Sequence, residues 1–216
     1  MNTDFDNFIK KINTNIITEN IKKTHNNFRL CHHKVKFLYI IREYLKNKVS
    51  KYLEIGVHNG CSMSYILSSK YPIECYGIDL FSSSKYPDKL DKYIINNRLD
   101  KINEYHHKIE LIEGDSTQNN IINKIYKLNT KFDIIFIDGD HSYEGVKKDF
   151  NNYYQFLNSQ GVLIFDDFNE APNNSGVFKF INELLENYNE YFNYYYCYND
   201  ELHTGKFKNG IIAFFK

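Results

Sequence analysis

Short apolar runs alternate with amphipathic stretches through most of the chain. KYLEIGV is followed by helical spacing over 62–69, IECYGIDL by a polar helical stretch over 85–104, and KIELIEG by a helix over 118–128. FDIIFID then precedes a helix over 143–157, and GVLIFDD one over 177–188. Strand alternating with helix in this way predicts a parallel sheet covered on both faces. The C-terminus departs from the pattern. YFNYYYCY and GIIAFFK are separated by a polar segment with Gly205 and Asn209-Gly210, which predicts an antiparallel pair at the sheet edge. Ahead of the sheet, helices are expected over 5–23 and 34–48, the second with Phe37, Leu38, Ile41, Tyr44 and Leu45 at helical spacing. The expected fold is therefore α/β and doubly wound, mostly parallel with an antiparallel C-terminal edge strand. Residues 1–50 form a helical extension that covers a substrate or meets a second subunit, and 51–216 form the sheet domain.

Composition narrows the class. Within 216 residues, 27 basic side chains balance 27 acidic ones, which disfavours a partner bound mainly through nucleic-acid phosphates. No apolar run approaches the roughly 20 residues of a membrane span. MNTDFDNFIKKIN carries early acids and no apolar core, so it does not read as a signal peptide, and a cytoplasmic location is expected. Cys31, Cys61, Cys75 and Cys197 contain no CxxC pair and are read as reduced thiols.

Ligands bind such sheets beyond the carboxyl ends of the strands, so the residues that end each apolar run are the candidates. The first run ends EIGVHNGCS, with Glu54, Gly56, Gly60 and Ser62. Glycines there let the backbone approach a ligand and turn into a helix, and a plain tight turn fits them equally. Histidine at position 58 breaks the G-x-G-x-x-G spacing of dinucleotide binders. A carboxylate in a central strand needs a partner, so Glu54 is assigned a ligand or ordered-water contact. Asp79 ends the second run, where an acid can accept both hydroxyls of a ribose. Asp115 could meet an adenine amino group or cap the next helix, as could Ser116 or Thr117.

Asp138, Asp166 and Asp167 end the fourth and fifth runs. Carboxylates that close repel one another unless a cation sits between them, and an all-oxygen cluster suits Mg²⁺, Mn²⁺ or Ca²⁺. His141 then lies near the metal without ligating it, in range to take a proton from a polarised hydroxyl. Asp140 could orient the His141 imidazole or cap the helix, with the cap preferred, and Glu144 suits the first helical turn. His58 could approach a ligand and His203 could line the pocket mouth, but neither is given a role. The pairs His32-His33 and His106-His107 lack the further ligands of a zinc site and are assigned to solvated loops or helix ends. The rings of 81–93 and 191–198 could line a lid, although core packing accounts for most of them.

Glu54-x-Gly56-x-x-x-Gly60-x-Ser62, Asp79, Gly114-Asp115-Ser116 and Asp138-Gly-Asp-His141 together resemble class I S-adenosylmethionine-dependent methyltransferases, whose sheet is Rossmann-like. The DGDHSYEGV and FDD stretches are similar to the macrocin O-methyltransferase type, which methylates sugar hydroxyls with Mg²⁺. The resemblance covers 51–216. It implies that the Gly56–Gly60 loop cradles the methionine part of the cofactor, with Glu54 near its amino group and Ser62 beside it. Asp79 would hold the ribose, and Asp115 with Ser116 would border the adenine. Asp138, Asp166 and Asp167 would hold Mg²⁺ or Mn²⁺, with Asp138 also at the cofactor, and His141 would be the base. Catechol-type relatives carry lysine at the place of His141. The implied partner is a small-molecule or glycan acceptor, with no nucleic acid and no membrane. The alternatives are a catechol or other aromatic hydroxyl as acceptor, an NAD-dependent oxidoreductase, or an idle nucleotide-binding module.

Overall fold

The computed structural model describes residues 3–25, 35–81, 91–168, 176–199 and 210–216. Three helices, α1 (Thr3–Lys11), α2 (Asn15–Thr24) and α3 (Lys36–Leu45), precede the sheet. Then β1 (Lys51–Ile55), α4 (Cys61–Leu67), β2 (Glu74–Asp79), α5 (Lys92–Ile102), β3 (Lys108–Glu113) and α6 (Asn119–Lys127) follow in order. The second half comprises β4 (Phe132–Ile137), α7 (Tyr143–Tyr153), β5 (Leu157–Phe165), α8 (Gly176–Glu186), β6 (Tyr194–Asn199) and β7 (Gly210–Phe215). The seven strands lie in the order β3-β2-β1-β4-β5-β7-β6. Strands β1 to β5 pair parallel, and β7 runs antiparallel to both β5 and β6.

The apolar strands are buried on both faces, so alternate residues feed two cores. Tyr52, Ile134, Phe136, Val162 and Ile164 face one core with Phe5, Ile21, Phe37, Met63 and Leu99. Leu53, Ile55, Ile135, Ile137, Leu163 and Phe165 face the other, against Ile121, Ile125, Val146, Phe150 and Phe180. The helices of 1–50 thus share a core with the sheet. Chain direction reverses its progress across the sheet between β1 and β4, which opens a crevice above their C-terminal ends.

Three expectations change in detail and the C-terminal one holds. The helix expected over 5–23 is two helices, because Asn13 Oδ1 accepts the Asn15 N–H at 2.9 Å and favours a local turn over the helical ladder. Of the stretch 85–104, residues 82–90 lie outside the described residues, and α5 starts after Asp91, whose side chain caps Ile94 N–H at 2.9 Å. At the C-terminus the expected antiparallel pair stands at the sheet edge, with β6 outermost and β7, buried along its length, between it and β5. Cys61 is disulfide-bonded, in contrast to the four thiols expected, while Cys75 and Cys197 are free. Spacing alone does not reveal which cysteines a fold brings together. Rings of 191–198 pack as core was expected to: Tyr198 stacks on Phe37 at 4.6 Å and Tyr194 on Phe215 at 4.5 Å. Among the described residues no helix is long and apolar enough to cross a membrane.

Candidate active site

A cavity of about 770 Å³ lies over the strand ends. Of the residues picked out in the sequence, Gly56, Ser62, Asp79, Asp115, Ser116, Asp138, His141, Asp166 and Asp167 line it, with His58, Asp140 and Glu144. Glu54 and Gly60 are not in its lining.

Gly56 shows why the first strand ends on glycine. Its φ is +91°, and a Cβ there would fall 2.0 Å from the Asp138 carbonyl oxygen. A side chain would overlap the peptide that carries the fourth strand's acid, so the close approach serves the protein's own backbone. Gly56 N–H donates to Ile78 O at 2.9 Å and Asp138 N–H to Ile55 O at 2.8 Å, which ties the ends of β2, β1 and β4 together. Gly60 is also left-handed, with φ +80°, and begins α4.

Glu54 is fully buried beneath this turn. It accepts hydrogen bonds from Tyr52 Oη at 2.8 Å and from Ser62 Oγ. Burial raises its pKa to about 8, against the lowering effect of those two hydroxyls. Its partners are therefore protein hydroxyls, and it fixes the Ser62 side chain that lines the cavity. Asp79 accepts His58 N–H at 2.7 Å on one oxygen and Phe81 N–H at 2.9 Å on the other. It thereby braces the left-handed His58, with φ +50°, at the turn between β1 and α4. Asp115 Oδ1 accepts both the N–H and the hydroxyl of Thr117 at 2.8 Å, a local turn ahead of α6.

Three side chains converge on one point. His141 Nε2 lies 3.2 Å from Asp138 Oδ1, and its Nδ1 lies 3.3 Å from Asp167 Oδ2. One ligand atom from each of the three falls within 4.8 Å of the others. Asp166 is buried and lines the same cavity but stands outside this compact set. The set therefore comprises two of the expected carboxylates and the imidazole, instead of three carboxylates with the imidazole to one side. Asp167 adopts φ +52°, an uncommon conformation for a non-glycine residue and one found at functional turns. The hydrogen bond to Asp138, with added attraction from Asp138, Asp167 and Asp166, raises the His141 pKa to about 9 in spite of partial burial. Asp140 holds Ser142 through its N–H at 2.9 Å and hydroxyl at 3.0 Å, and Ser142 caps α7 at Gly145 N–H. Asp140 supports the cap at one remove and leaves the imidazole to Asp138 and Asp167.

His107 departs from the solvated position expected: it is buried, with Nε2 2.8 Å from Ser69 O. The short loop before β3 turns it inward, a tertiary effect that the His-His pair does not signal. His32, His33 and His203 lie outside the described residues. Sequence reasoning missed Asp149 and Tyr153. Asp149 is fully buried and accepts Ser116 Oγ at 2.7 Å, while Tyr153 Oη donates to Ser116 O at 2.7 Å. A signal existed: Val146, Asp149, Phe150 and Tyr153 share one helical face, so an acid sits in an otherwise apolar stripe.

The sequence profile of a family described as a methyltransferase domain, Methyltransf_24, matches residues 53–168. Uncharacterized protein R132 of Acanthamoeba polyphaga mimivirus is 31% identical over 149 residues, 67% of this chain and 65% of that protein. Uncharacterized protein y4gI of Sinorhizobium fredii is 23% identical over 61% of this chain and 14% of its own length. The chain thus spans less than two thirds of either relative. Among solved structures, the O-methyltransferase from Bacillus cereus in complex with SAH superposes with a TM-score of 0.65 at 19% identity, covering 95% of this chain and 93% of that one. TomG from Streptomyces achromogenes in complex with SAM gives 0.65 at 14% identity, with 93% and 89% covered. Both likenesses are likenesses of fold.

Proposed function

Since the chain belongs to the methyltransferase-domain family matched over residues 53–168, we propose that it transfers the methyl group of S-adenosylmethionine to a hydroxyl of a sugar or glycoside. The observation that carries this reading is the meeting of Asp138, His141 and Asp167 in the same cavity as the Gly56 turn. Acids at the ends of β4 and β5 and a glycine turn after β1 thus serve one chamber.

The residues divide the work. The turn from Gly56 to Asn59 presents backbone to the methionine part of the cofactor. Asp79, which accepts one backbone N–H on each oxygen at the end of β2, is the group assigned to the ribose hydroxyls, since a carboxylate oxygen can accept more than one hydrogen bond. Asp115 and Ser116 border the adenine. The carboxylates of Asp138 and Asp167, with Asp166 beside them, are hard oxygen donors that would hold Mg²⁺ or Mn²⁺, which leaves the His141 imidazole next to the cation and not on it. When bound, the cation supplies charge that lowers the pKa of the acceptor hydroxyl.

His141 is positioned to accept that hydroxyl's proton as the oxygen attacks the methyl carbon. The hydrogen bond to Asp138 and the nearby charges of Asp167 and Asp166 hold the imidazole's proton, raising its pKa to about 9. A base must start neutral, so partial neutralisation of Asp138 and Asp167 is what readies it. The two acids also fix the plane of the ring. Val35 and Leu80 contribute apolar wall, which favours a reaction in which a cationic donor and a developing alkoxide cancel.

The test is transfer of labelled methyl from S-adenosylmethionine to glycosides, free sugars and catechols, with and without EDTA. Glycoside methylation that disappears in EDTA and returns with Mg²⁺ or Mn²⁺ supports the reading. Transfer to catechols alone reassigns the acceptor, and undiminished transfer in EDTA removes the metal. Tight NAD binding with none of S-adenosylhomocysteine replaces the function altogether.

A further inference from the structure

We propose that Asp149 is a positioning residue for the nucleoside end of the cavity, holding Ser116 from beneath while it backs Gly139. The inference rests on the cofactor reading above.

The loops that carry Ser116 and Gly139 follow β3 and β4, which β2 and β1 separate in the sheet. Asp149, a turn and a half into α7, reaches both. Its Oδ1 accepts the Ser116 hydroxyl at 2.7 Å. Its Oδ2 lies 3.0 Å from where a Cβ at Gly139 would stand, and Ile55 Cγ2 lies 3.3 Å away from the same point. Gly139 is thus pressed between β1 and Asp149, one residue after Asp138. Tyr153, a turn further on, donates its hydroxyl to the Ser116 carbonyl at 2.7 Å, so both the side chain and the backbone of Ser116 are held by one helix.

Stability alone gives no reason for an acid here. Asp149 is fully buried, and its Oδ2 has no hydrogen-bond partner among the described residues. Its neighbours along the helix face, Val146, Phe150 and Tyr153, belong to the core. Burying a carboxyl in such surroundings costs free energy that an aliphatic side chain would not. The return is a cross-link between two walls of the cavity. Burial also raises the Asp149 pKa to about 7, so near neutrality the group carries a proton for much of the time, and asparagine is its close mimic.

The experiment is calorimetric titration of the full chain with S-adenosylhomocysteine, together with KM for S-adenosylmethionine and kcat on the best acceptor. Asp149→Asn should bind within about twofold of the unaltered protein, because the acceptor for Ser116 remains. Asp149→Ala and Asp149→Leu should bind about tenfold more weakly, with KM rising in step and kcat held within about threefold. The leucine variant fills the space that the alanine variant empties, so a loss common to both does not come from a cavity. Alanine and leucine variants that bind as tightly as the unaltered protein, or an asparagine variant that loses as much affinity as they do, overturn the positioning role while the cofactor reading stands. Absence of binding by the unaltered protein overturns the cofactor reading itself. If the alanine and leucine variants do not fold, Tyr153→Phe carries the test: about threefold weaker binding supports the role and unchanged binding overturns it.

Discussion

Replacing Glu54 by Gln should change how stability responds to pH more than it changes stability at any acid pH. Glu54 sits fully buried between Tyr52 and Ser62, and burial moves its pKa from 4.5 to about 8. The folded chain therefore keeps the proton over a range in which the unfolded chain has released it. Stability associated with this group is complete below pH 4.5 and is lost as the pH rises towards about 8. Linkage over that interval gives a loss of about 3–4 kcal/mol between roughly pH 5 and pH 8. Glutamine preserves size and one acceptor but does not ionise. At acid pH the variant should be less stable by about 1 kcal/mol, since its amide N–H faces a hydroxyl that must reorient. Raising the pH should then shift the difference in the variant's favour by about 3–4 kcal/mol. Urea unfolding of both proteins at several pH values measures this directly. Asp149, raised to about 7, and His25, lowered by burial to about 4, titrate in the same range, but they do so in both proteins and cancel in the difference. Parallel stability curves with a constant offset would refute a raised Glu54 and with it the fully buried position beneath the turn.

Three further outcomes are expected. Gly56→Ala forces a Cβ to within 2.0 Å of the Asp138 carbonyl at φ +91°, so it should cost about 3 kcal/mol or more and abolish S-adenosylhomocysteine binding; a variant with unaltered urea midpoint and affinity contradicts this. His141→Ala should lower kcat about 100-fold or more and leave S-adenosylhomocysteine affinity within about threefold, measured by turnover and titration. Asp133 accepts Ser50 N–H at 2.7 Å, Lys51 N–H at 3.1 Å and the Asn158 amide, at the end of the sheet opposite the cavity. Asp133→Ala should cost about 1–3 kcal/mol in urea unfolding with cofactor affinity unchanged.

The periodicity of the chain carried the strand and helix order because the central strands β1, β2, β4 and β5 are apolar runs and the helices between them are apolar on one face. The order also placed the acids, since a strand that ends in Asp79, Asp138 or Asp166 must deliver them to the same edge of a parallel sheet. Sequence alone therefore determined that this is a doubly wound α/β protein with its candidate site at the carboxyl ends of β1 to β5. Which side chains meet there was decided by tertiary structure. Asp167, by its left-handed backbone, reaches His141 while its neighbour Asp166 does not join the compact set. Glu54 turns under the glycine loop to protein hydroxyls, and Asp149, far along the chain, grips Ser116. Distances of a few ångströms depend on backbone twist and on helices crossing from distant parts of the chain, and periodicity contains neither.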